Sequence, residues 1–320
     1  MEKATARAHP IQGLVKYHGM RDEQLRLPYH DSISVCTAPS ATTTTAAWGV
    51  TDEDVIRIDG ERATGRGRER VLSVVEHVRE RAGIDEPVRF ESESNFPTNI
   101  GFGSSSSGFA AAAVALCEAA GLELTRPELS TIARRGSSSA ARAVTGAFSQ
   151  LRAGLNDADC RSERIDTGLE EQLRIVACEV PAYKQTEHAH REAAESHMFQ
   201  ARMAHIHGQI AEMRDALRSD AFDRVFELAE HDSLSLAAAT MTGPAGWVYW
   251  QPETLEVFAT VRELREDGVP AYFSTDTGAS VYVNTTADYV DRVESAVGAH
   301  APTRVWEVGG PARLVDEPLF

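Results

Sequence analysis

The chain has 320 residues, 42% hydrophobic and 25% charged, with 32 basic against 48 acidic side chains and a formal net charge of −16 at pH 7. That composition excludes a disordered chain and supports a sizeable core, and the length suits two domains or one large one. The acidic balance argues against a nucleic-acid partner, because phosphate binding requires a basic face.

Short strands are predicted first, at Ser32 to Thr37, Thr42 to Trp48 and Val55 to Ile58, with Asp59-Gly60 as a turn, so a hairpin-rich sheet is expected to open the protein. Val71, Val74, Val75 and Val78 stand at helical spacing in a helix over 69–82 that stops at Gly83, and a strand follows over 87–90. The polar and glycine-rich stretch 94–104 leads into an alanine-rich buried helix over 105–120, with Gly121 as its C-cap. A short helix over 127–134 precedes a second Gly/Ser segment at 136–139. Residues 157–170 are charged and without apolar period, and 173–180 reads as a strand. Thr186 to Arg218 has helical composition with Gly208 as its breaker, and a helix is expected over 220–230. Helices over 253–266 and 287–297 alternate with strands over 270–274, 281–284 and 304–308. This succession indicates an α+β second domain, with a boundary expected near residues 160–180.

Three of the basic residues are lysines, Lys3, Lys16 and Lys184, and 29 are arginines. Two readings fit: a surface kept soluble in concentrated salt, where self-repulsion is screened to a few ångströms, or a GC-rich genome favouring Arg codons. Cys36, Cys117, Cys160 and Cys178 have no CxxC spacing and are expected to be reduced and inert. The first 19 residues lack the apolar stretch of a secretory signal, and the longest apolar run, Phe109 to Cys117, is nine residues. A cytoplasmic protein without membrane contact is expected.

The strongest chemical signal is Asn95-Phe96-Pro97-Thr98-Asn99-Ile100-Gly101-Phe102-Gly103-Ser104-Ser105-Ser106-Ser107-Gly108, which runs directly into the buried helix. Glycines admit backbone N–H groups close to an anion, serines add hydroxyl donors, and the helix N-terminus adds partial positive charge. The segment reads as a phosphate cradle, but not a Walker A loop, since no Gly-Lys-Ser/Thr follows. A flexible linker is the competing reading, though linkers rarely abut so regular a helix. The histidines His188, His190, His197, His205 and His207 straggle along a helix without ligand spacing, so no structural metal is expected.

The cradle is similar to the Pro-x-x-x-Gly-Leu-x-Ser-Ser-Ala signature of the GHMP kinase superfamily. Further segments resemble the mevalonate diphosphate decarboxylases within it. Lys16-Tyr17-His18-Gly19-Met20-Arg21-Asp22 with Leu27-Pro28-Tyr29-His30-Asp31-Ser32-Ile33-Ser34-Val35 resembles their Lys-Tyr-Trp-Gly-Lys-Arg-Asp…Leu-Pro-x-x-x-Ser-Ile-Ser-Val. Arg134-Arg135-Gly136-Ser137-Ser138-Ser139-Ala140-Ala141-Arg142 looks like Arg-Arg-Gly-Ser-Gly-Ser-Ala-x-Arg, and Ser274-Thr275-Asp276-Thr277-Gly278-Ala279 sits where they carry Thr-x-Asp-Ala-Gly-Pro. The motifs occur in the family's order along nearly the whole chain.

The resemblance implies the two-domain GHMP kinase fold, α+β, with a ribosomal protein S5-like N-terminal domain over 1–175 and a ferredoxin-like C-terminal domain over 176–320, the site lying between them. It implies ATP with Mg2+ as cofactors, a small-molecule partner and, since family members are often dimers, a homodimer. Catalytic roles are expected for Asp276, which orients or deprotonates the attacking hydroxyl, for Lys16, touching a phosphate or the Asp276 neighbourhood, and for Arg142 as a planar fork for the substrate carboxylate. Tyr17, Arg70, Ser137, Ser139 and Thr186 are expected to bind substrate, and Gly101, Gly103, Ser104, Ser105, Ser106 and Gly108 to bind ATP. Arg70 also reads as a surface arginine in an Arg-rich segment. Thr186 is placed by counting back from Ser196-His197-Met198-Phe199-Gln200-Ala201-Arg202, which resembles the family's Ser-x-Leu-Phe-x-x-Arg.

The departures cluster at one end of the substrate. Met20 stands in place of the motif's second lysine, His18 in place of its tryptophan, Gln185 in place of a serine and His188 in place of a glycine. Loss of the lysine removes a partner for roughly one negative charge, worth about 1 to 3 kcal/mol when partly buried. Pressure against surface lysine explains Lys to Arg, but not Lys to Met in a phosphate pocket. Mevalonate 5-phosphate is therefore the expected substrate, giving isopentenyl phosphate, CO2, ADP and phosphate as in a haloarchaeal-type enzyme. Open alternatives are the diphosphate reaction, with His18 or His188 replacing the charge, a kinase that stops at the phosphate ester, and a ligand sensor on the same fold. Thr277 to Ser280, in place of Ala-Gly-Pro-Asn, alters the loop after Asp276.

Overall fold

A computed structural model of the chain describes residues 3–96, 102–181 and 192–320. The first part runs β1 (Ala4–Ala8), β2 (Ile11–Val15), β3 (Met20–Asp22), β4 (Leu27–Pro28), β5 (Ser32–Ala38), β6 (Thr42–Trp48), β7 (Val55–Ile58), β8 (Glu61–Arg62), α1 (Gly65–Ala82) and β9 (Val88–Ser94). It continues through α2 (Ser104–Ala119), α3 (Arg126–Gly136), α4 (Ala140–Thr145), β10 (Phe148–Leu151) and β11 (Ser162–Arg164). The remainder comprises β12 (Leu173–Cys178), α5 (Phe199–Arg218), α6 (Phe222–Met241), α7 (Pro252–Glu266), β13 (Tyr272–Ser274), β14 (Val281–Thr286), α8 (Val290–Val297), β15 (Thr303–Val308) and β16 (Arg313–Leu314).

Helix α1 buries the four valines at helical spacing and ends at Gly83, whose left-handed φ of 66° lets its N–H reach Arg79 O. Helix α2 is buried on nearly every side, as its run of alanines requires, and lies against β1 and β6. Those strands belong to a sheet ordered β16-β1-β6-β9-β7-β8. A second sheet runs β11-β10-β5-β15-β12-β14-β13, with β2 also on β5. The strands β5 and β6 therefore do not form the expected hairpin. Both are buried on both faces, so alternation could not reveal that they lie in different sheets.

The second sheet joins the two halves of the chain: β15 pairs with β5 at Glu307↔Ala38 and Val308↔Thr37. The expected boundary between 175 and 176 falls inside β12, which is continuously paired with β14 from Leu173↔Thr286 to Cys178↔Val281. Gly208 does not break its helix, since α5 runs through it, and α6 continues to Met241, beyond the expected end at 230. The four cysteines are free and buried, and burial pushes the thiols of Cys36, Cys117 and Cys178 up to about 12 and that of Cys160 to about 11. That keeps them protonated and inert. Among the described residues no helix is long and apolar enough to cross a membrane.

Candidate active site

Strand β2 brings the N-terminal part of the site against the second half of the chain. Gln12 is fully buried and donates through Nε2 to Ser274 Oγ (2.8 Å) and Asn284 Oδ1 (2.9 Å), which locks β2 onto β13 and β14. One residue on, the Gly13 N–H donates to Asp276 Oδ1 (3.1 Å), and the Tyr282 hydroxyl donates to Asp276 Oδ2 (3.3 Å). Burial, then the charge of Asp276, raises the Tyr282 pKa well above its ordinary value, so it remains a donor.

Lys16 follows β2 and is 5% exposed. Its Nζ donates to Ser233 Oγ (3.0 Å) and Asp232 Oδ2 (3.4 Å), and its backbone N–H donates to the same Oδ2 (2.9 Å). Arg202 of α5 donates to Asp232 Oδ1 (2.8 Å) and to Lys16 O (2.7 Å). Burial lowers the Lys16 pKa, while Asp232 and Asp276 favour its charge and Arg202 opposes it. At Asp232 burial works against ionisation, but Arg202, Lys16 and the Lys16 N–H outweigh it and hold the carboxylate below its usual range. Asp232, Ser233 and Arg202 escaped the sequence analysis as site residues. The available signal was an Asp-Ser pair on the apolar stripe of a helix that includes Val225, Ala229 and Leu236.

Arg142 of α4 is 3% exposed and lies over the Tyr17 ring at 5.4 Å. Its Nε and Nη1 have no hydrogen-bond partner among the described residues. Burial lowers its pKa, while Tyr17 and Asp276 favour the charge. Ser137 and Ser139 share a hydrogen bond of 2.9 Å, and Ser137 approaches Ser105 at 3.5 Å, so the second Ser segment meets the start of α2. Arg70 is pinned by two donations to Gly136 O (3.0 and 2.7 Å) over the Phe109 ring. Burial, then the charges of Arg26 and Arg66, brings the Arg70 pKa down to about 10. Arg26 also donates to Arg135 O (2.9 Å), so two guanidiniums clamp consecutive carbonyls ahead of Ser137. The Tyr17 phenol, whose pKa burial raises, feels the opposing charges of Arg142, Arg26 and Arg70 together. Met20 borders this cluster through Sδ, 3.8 Å from Ser138 Oγ, and His18 is buried with Nε2 3.5 Å from Thr240 Oγ1.

The cradle is only partly as expected. Gly103 takes a left-handed φ of 68°, and a Cβ there would stand 2.9 Å from Ile11 O, so the tight approach of loop to strand requires glycine. Ser106 is fully buried, accepts from Ile11 N (3.1 Å) and donates to Gly103 O (2.6 Å). Its hydroxyl thus closes the loop, with its proton on Gly103 O. Ser107 is similarly engaged with Thr42 Oγ1 at 2.7 Å. Ser104 and Ser105 remain half-buried at the open first turn of α2, where no side chain caps the helix, and Gly108 lies one turn in. That leaves first-turn amides and two hydroxyls, a donor set that fits a polyphosphate. Gly101 and Thr186, with Gln185 and His188, lie outside the described residues. Among those described, no group of His, Cys, Asp and Glu could hold a metal ion.

Residues 8–162 match the family model for the diphosphomevalonate decarboxylase-like N-terminal domain. The chain is 71% identical to phosphomevalonate decarboxylase of Haloferax volcanii over 318 residues, 98% of each chain. Its fold superposes on mevalonate diphosphate decarboxylase from Staphylococcus aureus with a TM-score of 0.94 at 27% identity, covering 98% of each chain. It superposes with a TM-score of 0.92 at 28% identity on a structure of MDDEF in complex with MVAPP, AMPPCP and magnesium, covering 98% of this chain and 99% of that one. Such identity along almost the whole of both chains, on a fold that hydrogen-bonds Gly13 near one end of the sequence to Asp276 near the other, means that the chain belongs to the ATP-dependent, mevalonate-pathway decarboxylase family of the GHMP kinase fold.

Proposed function

We propose that the protein decarboxylates mevalonate 5-phosphate, with ATP and Mg2+, to isopentenyl phosphate, CO2, ADP and phosphate. The observation that carries the chemistry is Arg142: a guanidinium 3% exposed, with two nitrogens unpartnered among the described residues and the charge of Asp276 acting on it. A buried cation held this way calls for an anion, and a planar carboxylate suits its fork. ATP supplies the phosphoryl group that turns the substrate's 3-hydroxyl into a leaving group. Asp276, positioned by Gly13 N–H and the Tyr282 hydroxyl, orients that hydroxyl and takes its proton. Lys16 contributes the nearby positive charge. Arg142 holds the carboxylate until the C–C bond breaks, its electrons form the alkene and phosphate departs.

The 5-phosphate is assigned to the Arg70 and Tyr17 side, with Ser137 and Ser139 between the two ends and Thr186 as a further ligand. Monophosphate over diphosphate is supported by the near end-to-end identity to the Haloferax volcanii protein and by apolar Met20 beside Ser138. The test couples ADP release to a reporter in concentrated KCl and offers mevalonate, its 5-phosphate and its 5-diphosphate in turn. The monophosphate is expected to show the highest kcat/KM, with one CO2 released per ADP. Faster turnover of the diphosphate overturns the substrate assignment, and ADP release without CO2 overturns the reaction.

A further inference from the structure

Lys16 and Asp276 are 260 positions apart in the chain, yet one pair of adjacent residues on α6 holds both. The Ser233 hydroxyl has one proton to donate and two lone pairs, and all three are used. It donates to Ala229 O (2.8 Å), accepts from Lys16 Nζ (3.0 Å), and accepts from the backbone N–H of Thr275 (3.1 Å), the residue before Asp276. Asp232 uses both carboxylate oxygens: Oδ2 fixes the backbone and the ammonium of Lys16, and Oδ1 takes Arg202, which in turn holds Lys16 O. Asp232 is fully buried and Ser233 is 1% exposed, so both are shielded from solvent.

We propose that Asp232 and Ser233 are positioning residues that set the distance between the Lys16 ammonium and the Asp276 carboxylate, with Ser233 as the bridge between the turn carrying Asp276 and the side chain of Lys16. This rests on the roles proposed for Lys16 and Asp276. It gives a role to a fully buried acidic residue and hydroxyl at the centre of this helix, where each costs desolvation. A misplacement of reacting groups by an ångström lowers rate about a hundredfold, so a bridge of this kind acts on kcat and leaves nucleotide affinity alone. The groups facing Lys16 are Asp232 of α6, Arg202 of α5 and Asp276 of the turn after β13. Removing the Asp232 charge leaves burial and Arg202 less opposed, so the ammonium loses its proton at lower pH.

The test uses the full chain in concentrated salt and measures kcat, the two KM values and the pH profile of Ser233→Ala and Asp232→Asn, beside Lys16→Met and Asp276→Asn. Ser233→Ala is expected to lower kcat by about 10- to 100-fold with the KM for ATP within about twofold of wild type. Asp232→Asn is expected to move the alkaline limb of kcat/KM to lower pH. A purely structural role predicts a lower melting temperature with kcat and the alkaline limb unchanged in the folded enzyme, and that result overturns the proposal. Should Asp232→Asn fail to fold, Ser233→Ala decides alone, because it removes one buried oxygen and no charge. If Lys16→Met and Asp276→Asn themselves retain full activity, the reading of the site fails first. If they are inactive while Ser233→Ala turns over like wild type, the bridge alone is refuted.

Discussion

The space that a side chain at position 13 would need is already taken. A Cβ on Gly13 would lie 2.6 Å from Lys16 Cγ and 2.7 Å from Asp276 Oδ1, so Gly13→Ala must displace one of the two groups to which the chemistry is assigned. The expected outcome is about a hundredfold lower kcat from a shifted carboxylate, with stability reduced by about 1–3 kcal/mol for overpacking. Steady-state kinetics alongside a denaturant melt check this, and unchanged kcat would show that Asp276 tolerates the shift. Gly13 lies in no motif that the sequence singles out, because its importance comes from a residue far along the chain. Asp276, Lys16 and Arg142 were legible as candidates from their motifs. Ser106 was legible too, but its part in closing the loop was not, since its tie to Ile11 appears only once the strand is seen beside it.

At the scale of elements, the segment between α3 and α4 owes its position to a stretch that looked featureless. Asp157 ion-pairs with both Arg134, which is wholly buried, and Arg135, and Arg134 also donates to Cys160 O (3.0 Å) and to Leu25 O. The paired arginines that precede Ser137 are thus anchors of the segment. Gly136 is packed so closely on Phe109 that a Cβ would lie 2.0 Å from the ring. Asp157→Ala should cost about 1–3 kcal/mol by leaving Arg134 partly unsatisfied, and should raise the KM for the phosphorylated substrate through the loosened Ser137 to Ser139 turn. Burial works against ionisation at Asp157, but Arg134 and Arg135 outweigh it and depress its pKa. Its stabilising contribution is therefore complete above its unfolded pKa and lost as pH falls through the lower folded value. An acid titration of the melting temperature in wild type and Asp157→Ala should converge at low pH; parallel curves contradict the anchoring role. Helices with a clean apolar stripe, such as α1, were legible, whereas β10 and β11 were not, because short strands carry too few residues to show a period.

For the molecule as a whole, a charge of −16 with three lysines predicts a dependence on salt. Raising salt from about 0.1 M to about 1 M shortens the screening length from roughly 10 to 3 Å, which relieves repulsion among surface carboxylates. Exposed pairs such as Arg62 with Glu53 and Arg292 with Asp267 contribute little and are screened as well. The melting temperature should therefore rise with KCl over this range, and a fall would mean that ion pairs outweigh repulsion. The family resemblance to a Haloferax protein agrees with a salt-adapted exterior. Composition, the helical stripes, the cradle and the ordered motifs were all readable without coordinates, since each depends on residues near one another in the chain. The sheet shared by the two halves, the separation of β5 from β6, and the junction of Lys16, Asp232, Ser233 and Asp276 were decided only by tertiary structure. Local periodicity records that a face is buried, but the identity of the group buried against it is set by strand order and register, which link residues more than 200 positions apart.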